Sequence, residues 1–263
     1  MSGLYPANKV KVKTVFISDV HLGFPGCSAN FLLDFLRNVE CEKIYLVGDI
    51  IDFLYMQKKM YWPQEHNDVI RTLLGKAKHG TQVIYVPGNH DEVLRGHNDT
   101  VFGNVLIKDE IIHTTADGKR FLVLHGDQFD SVVKYSRLMA IVGSNLYEGL
   151  LNANRLVNYI RSGLGLPYWS LATALKHKVK GAVNYISNFE SAVSQMAKQK
   201  KVDGMICGHI HRPEIRNIDD VLYCNCGDWV ESCTALIENQ DGSLEILYWA
   251  EEFEFIKRLS VAA

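Results

Sequence analysis

A chain of 263 residues with 47% hydrophobic content can bury one good core and carry an insertion. A net charge of −2 and a pI near 6.5 exclude a global attraction to nucleic acid, and the first residues hold no apolar run long enough for a signal peptide or a membrane span. A cytosolic, reducing environment is therefore expected, with Cys27, Cys41, Cys207, Cys224, Cys226 and Cys233 as free thiols; Cys224-x-Cys226 with Cys233 fits no common zinc spacing.

Val15-Phe16-Ile17 is the first strand signal, and Asp19-Val20-His21 and a loop from Gly23 to Gly26 follow it. Phe31, Leu32, Phe35 and Leu36 fall at helical spacing and predict an amphipathic helix over Ala29–Val39. Ile44–Val47 predicts a second strand ending at Gly48-Asp49-Ile50-Ile51-Asp52. A polar helix is expected from about Glu65 to Lys78, with Val69, Ile70, Leu73 and Leu74 on its inner face. Strand Thr81–Val86 closes this βαβ-type half and runs into Gly88-Asn89-His90-Asp91.

Strands Val105–Ile107, Ile111–Thr114 and Arg120–Leu124 come next, the last two joined by a turn at Asp117-Gly118, and His125-Gly126-Asp127 follows them. From Gln128 to about Lys201 strand signals vanish, and apolar residues recur at helical spacing with a break at Gly163–Pro167. This predicts a helical insertion over 131–201 in a core made of 1–130 and 202–263. Strand signals return at Gly204–Cys207, which leads into Gly208-His209-Ile210-His211, and then at Val221–Cys226, Cys233–Ile237 and Leu244–Trp249. The fold class read from this order is α/β, a two-sheet α/β sandwich with a helical insertion.

Each histidine- and aspartate-bearing segment follows an apolar run, so its side chains converge on the rim formed by the carboxyl ends of strands. A single histidine after a strand is usually a surface or satisfied core residue. The order and strand context of the whole set point instead to metal. Two divalent ions held close together need an anionic bridge to offset their repulsion, and Asp49 in its glycine-preceded turn is the natural one. Asp19 and His21, like His209 and His211, are spaced to leave one face of an extended strand end; Asn89 offers a carbonyl oxygen and His125 an imidazole. This nitrogen and oxygen set without thiolate suits two divalent ions of the Mn²⁺, Fe or Zn²⁺ kind, Mn²⁺ foremost. Ions held so close would lower the pKa of a water between them.

The pattern D-x-H, G-D-x-x-D, G-N-H-D, a later histidine and G-H-x-H resembles the calcineurin-like metallophosphoesterase superfamily over about Val12 to Asp228, apart from the insertion. The resemblance implies a sandwich of the metallophosphoesterase type. It also implies one ion on Asp19, His21, Asp49 and His211, and the other on Asp49, Asn89, His125 and His209. His90 would meet the substrate phosphate and the leaving oxygen as a catalytic residue, with Asp91 either orienting it or serving the turn, and Asp52 would support the loop.

Asp19-Val20-His21-Leu22-Gly23, Gly48-Asp49-Ile50-Ile51-Asp52-Phe53, His125–Asp130 and Asn225-Cys226-Gly227-Asp228-Trp229 further resemble the UDP-2,3-diacylglucosamine pyrophosphatase branch. That branch cleaves a lipid A precursor to lipid X and UMP and carries a helical cap where this chain has its insertion. Its best-known form has arginine after the asparagine, where this chain has His90. The implied substrate is a phosphorylated lipid or small molecule at a cytoplasmic site, with peripheral contact at the inner membrane face inferred from the substrate alone and no nucleic acid partner. Apolar residues of the insertion, among them Leu146, Leu150, Tyr159, Ile160 and Leu164, could line an acyl crevice or simply cover the core. Arg155, Arg161, Lys176 and Lys178, with His177 and Lys180 beside them, could meet a diphosphate or form a solvated face. The rival readings are a phosphohydrolase of a soluble nucleotide or sugar phosphate and a scaffold without activity.

Overall fold

The computed structural model describes residues 9–129, 158–165 and 191–250. The strands, in chain order, are β1 (Val10–Lys11), β2 (Thr14–Ile17), β3 (Val39–Glu40), β4 (Lys43–Val47), β5 (Gln82–Val86), β6 (Val101–Phe102), β7 (Val105–Ile107), β8 (Ile111–Thr114), β9 (Arg120–Val123), β10 (Gly204–Cys207), β11 (Glu214–Ile218), β12 (Val221–Asn225), β13 (Thr234–Glu238) and β14 (Leu244–Tyr248). The helices between them are α1 (Ala29–Asn38), α2 (Phe53–Lys58) and α3 (Gln64–Lys78); residues 158–163 and 191–200 are also helical.

Seven strands make one sheet in the order β14-β13-β2-β4-β5-β7-β6, and five make a second in the order β11-β12-β10-β9-β8. Strands β2, β4, β5 and β7 run parallel, as do β9, β10 and β12. A separate parallel pair, β1 with β3, lies outside both sheets.

The alternation of side chains along each strand decides which layer they join. Phe16, Tyr45, Val47, Ile84 and Val86 leave the larger sheet and meet Phe121, Val123, Ile206 and Cys224 from the smaller one. Their neighbours Val15, Ile17, Ile44, Leu46 and Val83 point the other way, onto Leu32, Phe35 and Leu36 of α1 and Val69 and Leu73 of α3. Leu122, Leu124, Met205 and Cys207 leave the outer face of the smaller sheet and cover Val193 and Ala197 of the 191–200 helix. Helix, sheet, sheet and helix therefore stack in four layers, the expected two-sheet α/β sandwich.

Besides the short strands β1, β3 and β6 and the edge strand β11, two features lay outside the sequence reading. Helix α2 was not expected, although Asp52 caps it by accepting the amide of Tyr55 at 2.8 Å. The end of the stretch assigned to the insertion, 191–200, is packed on the smaller sheet, and Ser194 Oγ donates to the Ile218 carbonyl at 3.0 Å. Most of the expected insertion lies outside the described residues. The cysteines are free thiols, and the four on or beside the strands β10, β12 and β13 are buried. Among the described residues no helix is long and apolar enough to cross a membrane.

Candidate metal centre

The parallel strands β2, β4 and β5 of one sheet and β9 and β10 of the other release their carboxyl-end loops at one edge of the sandwich. Those loops carry Asp19 and His21, Asp49, Asn89 and His90, His125, and His209 and His211. Three overlapping sets of donor atoms result: Asp19, His21 and His211; His21, Asp49 and His90; and Asp49, His125 and His209, each with its atoms within 4.8 Å of one another.

Asp49 stands at the middle. Its Oδ2 lies 3.4 Å from His125 Nε2, 3.9 Å from His21 Nε2 and 4.0 Å from His90 Nε2. Its Oδ1 accepts the backbone amide of His90 at 2.8 Å, which fixes the carboxylate plane. Asp19 presents Oδ1 to His211 Nε2 at 3.2 Å while its Oδ2 accepts the amide of His209 at 3.0 Å.

The backbone under these groups is held in a conformation that side chains disfavour. Asp19, His21, Asp49, His209 and His211 all have φ between 51° and 69°. The turns close against glycine for steric reasons: a Cβ on Gly88 would collide with Asp49 Oδ1, and one on Gly208 with Asp19 Oδ2.

Each buried histidine has one ring nitrogen spoken for. His125 Nδ1 lies 2.9 Å from the Val47 carbonyl, and His21 Nδ1 lies 3.1 Å from Asp52 Oδ2. This leaves Nε2 of both facing the centre, with no hydrogen-bond partner, as are Asp19 Oδ1 and Asn89 Oδ1. Buried polar atoms are normally satisfied, so a cluster of unsatisfied nitrogen and carboxylate donors around one carboxylate is the geometry a cation would complete. The electrostatics agree. Burial would lower the pKa of His21 and His125, yet the surrounding aspartates outweigh it and raise them to about 9 and about 10. Burial would likewise raise Asp19, but His211 beside it holds the carboxyl at about 2. The cavity favours positive charge, and the donors fit divalent cations.

His90 is half-buried beside His21, ring centroids 4.7 Å apart, and its Nδ1 lies 2.8 Å from Asp52 Oδ1. Asp52, expected only to support its loop, thus holds both His21 and His90. Asp91 does not share a hydrogen bond with His90. It is buried, and it accepts the amides of Gly88 at 2.6 Å and Ile50 at 2.8 Å and the hydroxyl of Tyr85. Of the two roles open to Asp91, the turn is the one its geometry serves. The signal for Asp52 was in the sequence, since it is the second aspartate of G-D-x-x-D, but its two partners come from different loops.

Arg161 is half-buried within the helical 158–163 segment, and Tyr159, Ile160 and Leu164 are exposed. Arg155, Lys176 and Lys178 lie outside the described residues, so their expected meeting with substrate has no geometry to set beside it.

The calcineurin-like phosphoesterase family model matches residues 12–213. The UDP-2,3-diacylglucosamine hydrolase of Aliivibrio fischeri (strain MJ11) is 26% identical over 231 residues, covering 82% of this chain and 90% of that protein. The enzyme of the same name from Haemophilus influenzae (strain PittGG) is 24% identical over 249 residues, covering 92% and 98%. A solved structure, that of a hypothetical protein from Pyrococcus horikoshii OT3, shares 9% identity at a TM-score of 0.48, over 96% of this chain and 94% of the other. With its motif loops gathered at one edge and the family pattern spanning residues 12–213, this chain belongs to the calcineurin-like phosphoesterase family and is a metal-dependent phosphohydrolase.

Proposed function

We propose that this protein hydrolyses the diphosphate of a UDP-2,3-diacylglucosamine-like substrate at a centre of two divalent ions, Mn²⁺ foremost. The observation that carries the reading is Asp49 Oδ2 facing the Nε2 atoms of His21, His90 and His125 from a cavity of unsatisfied donors. Asp19, His21, Asp49 and His211 would hold one ion, and Asp49, Asn89, His125 and His209 the other. Two such ions supply a water of lowered pKa and compensate the charge that develops on the phosphoryl oxygens.

The chain's own residues do the rest. Asp49 offsets the repulsion between the two cation sites. Asp52 and the Val47 carbonyl fix the rings of His21 and His125 with Nε2 inward. His90, with Nδ1 on Asp52, turns Nε2 toward the centre, where it can donate a hydrogen bond to a phosphoryl oxygen or a proton to the leaving oxygen. The choice of substrate rests on relatives named UDP-2,3-diacylglucosamine hydrolase that match most of the chain's length, and the cytoplasmic, membrane-peripheral setting follows only from that substrate.

The test is hydrolysis of UDP-2,3-diacylglucosamine by purified protein with Mn²⁺, alongside bis-p-nitrophenyl phosphate and an Asp49→Ala control. Release of UMP by the wild type and not by the control is the expected result. Cleavage of the diester alone would keep the metal centre and replace the lipid with a soluble nucleotide or sugar phosphate. Silence on both substrates with ions bound would leave the scaffold reading.

A further inference from the structure

We infer that Arg95 is a positioning residue that assembles the second ion's donor set, by tying together two loops that come from different sheets. The inference rests on the dinuclear reading above and concerns what builds one half of that centre.

The second donor set is divided between the sheets. Asn89 follows β5 of the larger sheet, whereas His125 and His209 follow β9 and β10 of the smaller one. No backbone ladder joins these strands across the sandwich; the shared core and the bond from His125 Nδ1 to the Val47 carbonyl set the sheets, and side-chain ties at the open edge set the loop that carries Asn89. The loop bearing Asn89 and His90 is tied to its own sheet through His90, whose amide donates to Asp49 Oδ1 and whose Nδ1 lies beside Asp52, and through two further anchors. Asp91 anchors it to its own sheet through the amides of Asp49 and Ile50 at 3.3 and 2.8 Å. Arg95, on the 3₁₀ turn Glu92–His97, anchors it to the other sheet. One guanidinium nitrogen, Nη2, donates both to the Pro87 carbonyl at 3.2 Å and to Asp127 Oδ1 at 2.7 Å.

Both contacts lie beside proposed ligands: Pro87 is two residues before Asn89 and Asp127 two residues after His125. Asp127 is largely buried, with 10% of its side chain exposed, while Arg95 keeps 35%. A charge-assisted bond to a largely buried carboxylate is among the stronger side-chain ties, and its loss would leave Asp127 uncompensated at the rim of a phosphate-binding centre. Of the first ion's donors, Asp19, His21 and His211 do not touch this clamp; Asp52 holds His21 and the amide of His209 holds Asp19.

The experiment is titration of metal-stripped protein with Mn²⁺ by calorimetry, for the wild type, Arg95→Ala and Arg95→Lys. The wild type should take two ions. Arg95→Ala should keep one at wild-type affinity and bind the other about 10–100-fold more weakly, the range seen when a residue orienting a ligand is lost. Arg95→Lys, which keeps the charge on a differently shaped head that cannot place a donor where Nη2 stands without strain, should fall between them. Arg95→Ala/Asp127→Ala should be no weaker than Arg95→Ala, because the pair acts as a unit. Two ions at wild-type affinities in Arg95→Ala would overturn the inference, as would equal weakening of both ions or a collapsed fold in both single variants. A wild type that takes up no ion would overturn the dinuclear reading itself.

Discussion

Asp52 holds two histidines with its two carboxylate oxygens: Oδ1 lies 2.8 Å from His90 Nδ1 and Oδ2 lies 3.1 Å from His21 Nδ1. One side chain thereby links a proposed metal ligand to the histidine proposed to meet the phosphate. The short helix α2 that it caps keeps it in place, through the amide of Tyr55.

Asp52→Asn should therefore damage two properties at once. The amide can accept a hydrogen bond from only one of the rings, so kcat should fall by about 10²–10⁴-fold as His90 loses its orientation. Affinity for the ion on His21 should fall by about 10–100-fold. Steady-state kinetics at saturating Mn²⁺ separate the two effects, and an unchanged kcat there would remove Asp52 from the catalytic account.

Glycine substitutions should divide by location. Gly88→Ala and Gly208→Ala would drive a methyl group into Asp49 and Asp19 and should cost metal binding at least about tenfold. Gly75→Ala, in the last turn of α3 with open space around it, should instead stabilise the protein by about 0.5–1 kcal/mol. Thermal melts and metal titrations of the three variants provide the comparison. Gly88→Ala with wild-type metal affinity would contradict the close approach seen at the centre.

Far from the centre, Glu238 on β13 lies 2.9 Å from His113 Nε2, and His113 Nδ1 lies 3.2 Å from the Tyr45 hydroxyl between the sheets. Burial would raise the pKa of Glu238, but the bond from His113 outweighs it and holds the carboxyl below its ordinary value of 4.5. A carboxyl depressed by folding stabilises the protein above its unfolded pKa, and that stability is lost as pH falls from about 4.5 downward. Urea midpoints should thus drop below pH 4.5 in the wild type, and Glu238→Gln should flatten that part of the profile. Replacing a buried, hydrogen-bonded carboxylate also costs about 1–3 kcal/mol at neutral pH. A mutant with the wild-type acid profile would show that Glu238 contributes nothing to it.

Removal of metal should lower stability without unfolding the sandwich, because the three hydrophobic layers do not depend on the centre. At an ion concentration 1,000 times Kd, one site contributes about 4 kcal/mol. Chelator-treated protein should keep its far-ultraviolet circular dichroism and melt at a lower temperature, and re-addition of Mn²⁺ should restore it. A melting temperature indifferent to both would argue against a resident metal.

The sequence by itself marked the principal strands along the chain and a sandwich of two sheets, while their order within each sheet came from the tertiary structure. Val15 to Ile17, Ile44 to Val47 and Val83 to Val86 are apolar on both faces, which only a sheet covered on both sides tolerates, and the helical spacing in α1 and α3 supplies one cover. It also marked Asp19, His21, Asp49, Asn89, His90, His125, His209 and His211, because ligand chemistry restricts which residue types can stand after those strands. Tertiary structure decided what binds what around them. The tie from Asp52 to His21 and His90, the use of Asp91 to gather the amides of Gly88 and Ile50, and the clamp from Arg95 to Asp127 join residues up to 41 positions apart. Those partnerships depend on how two sheets meet at one edge, and a local periodicity carries no information about a contact between separate loops.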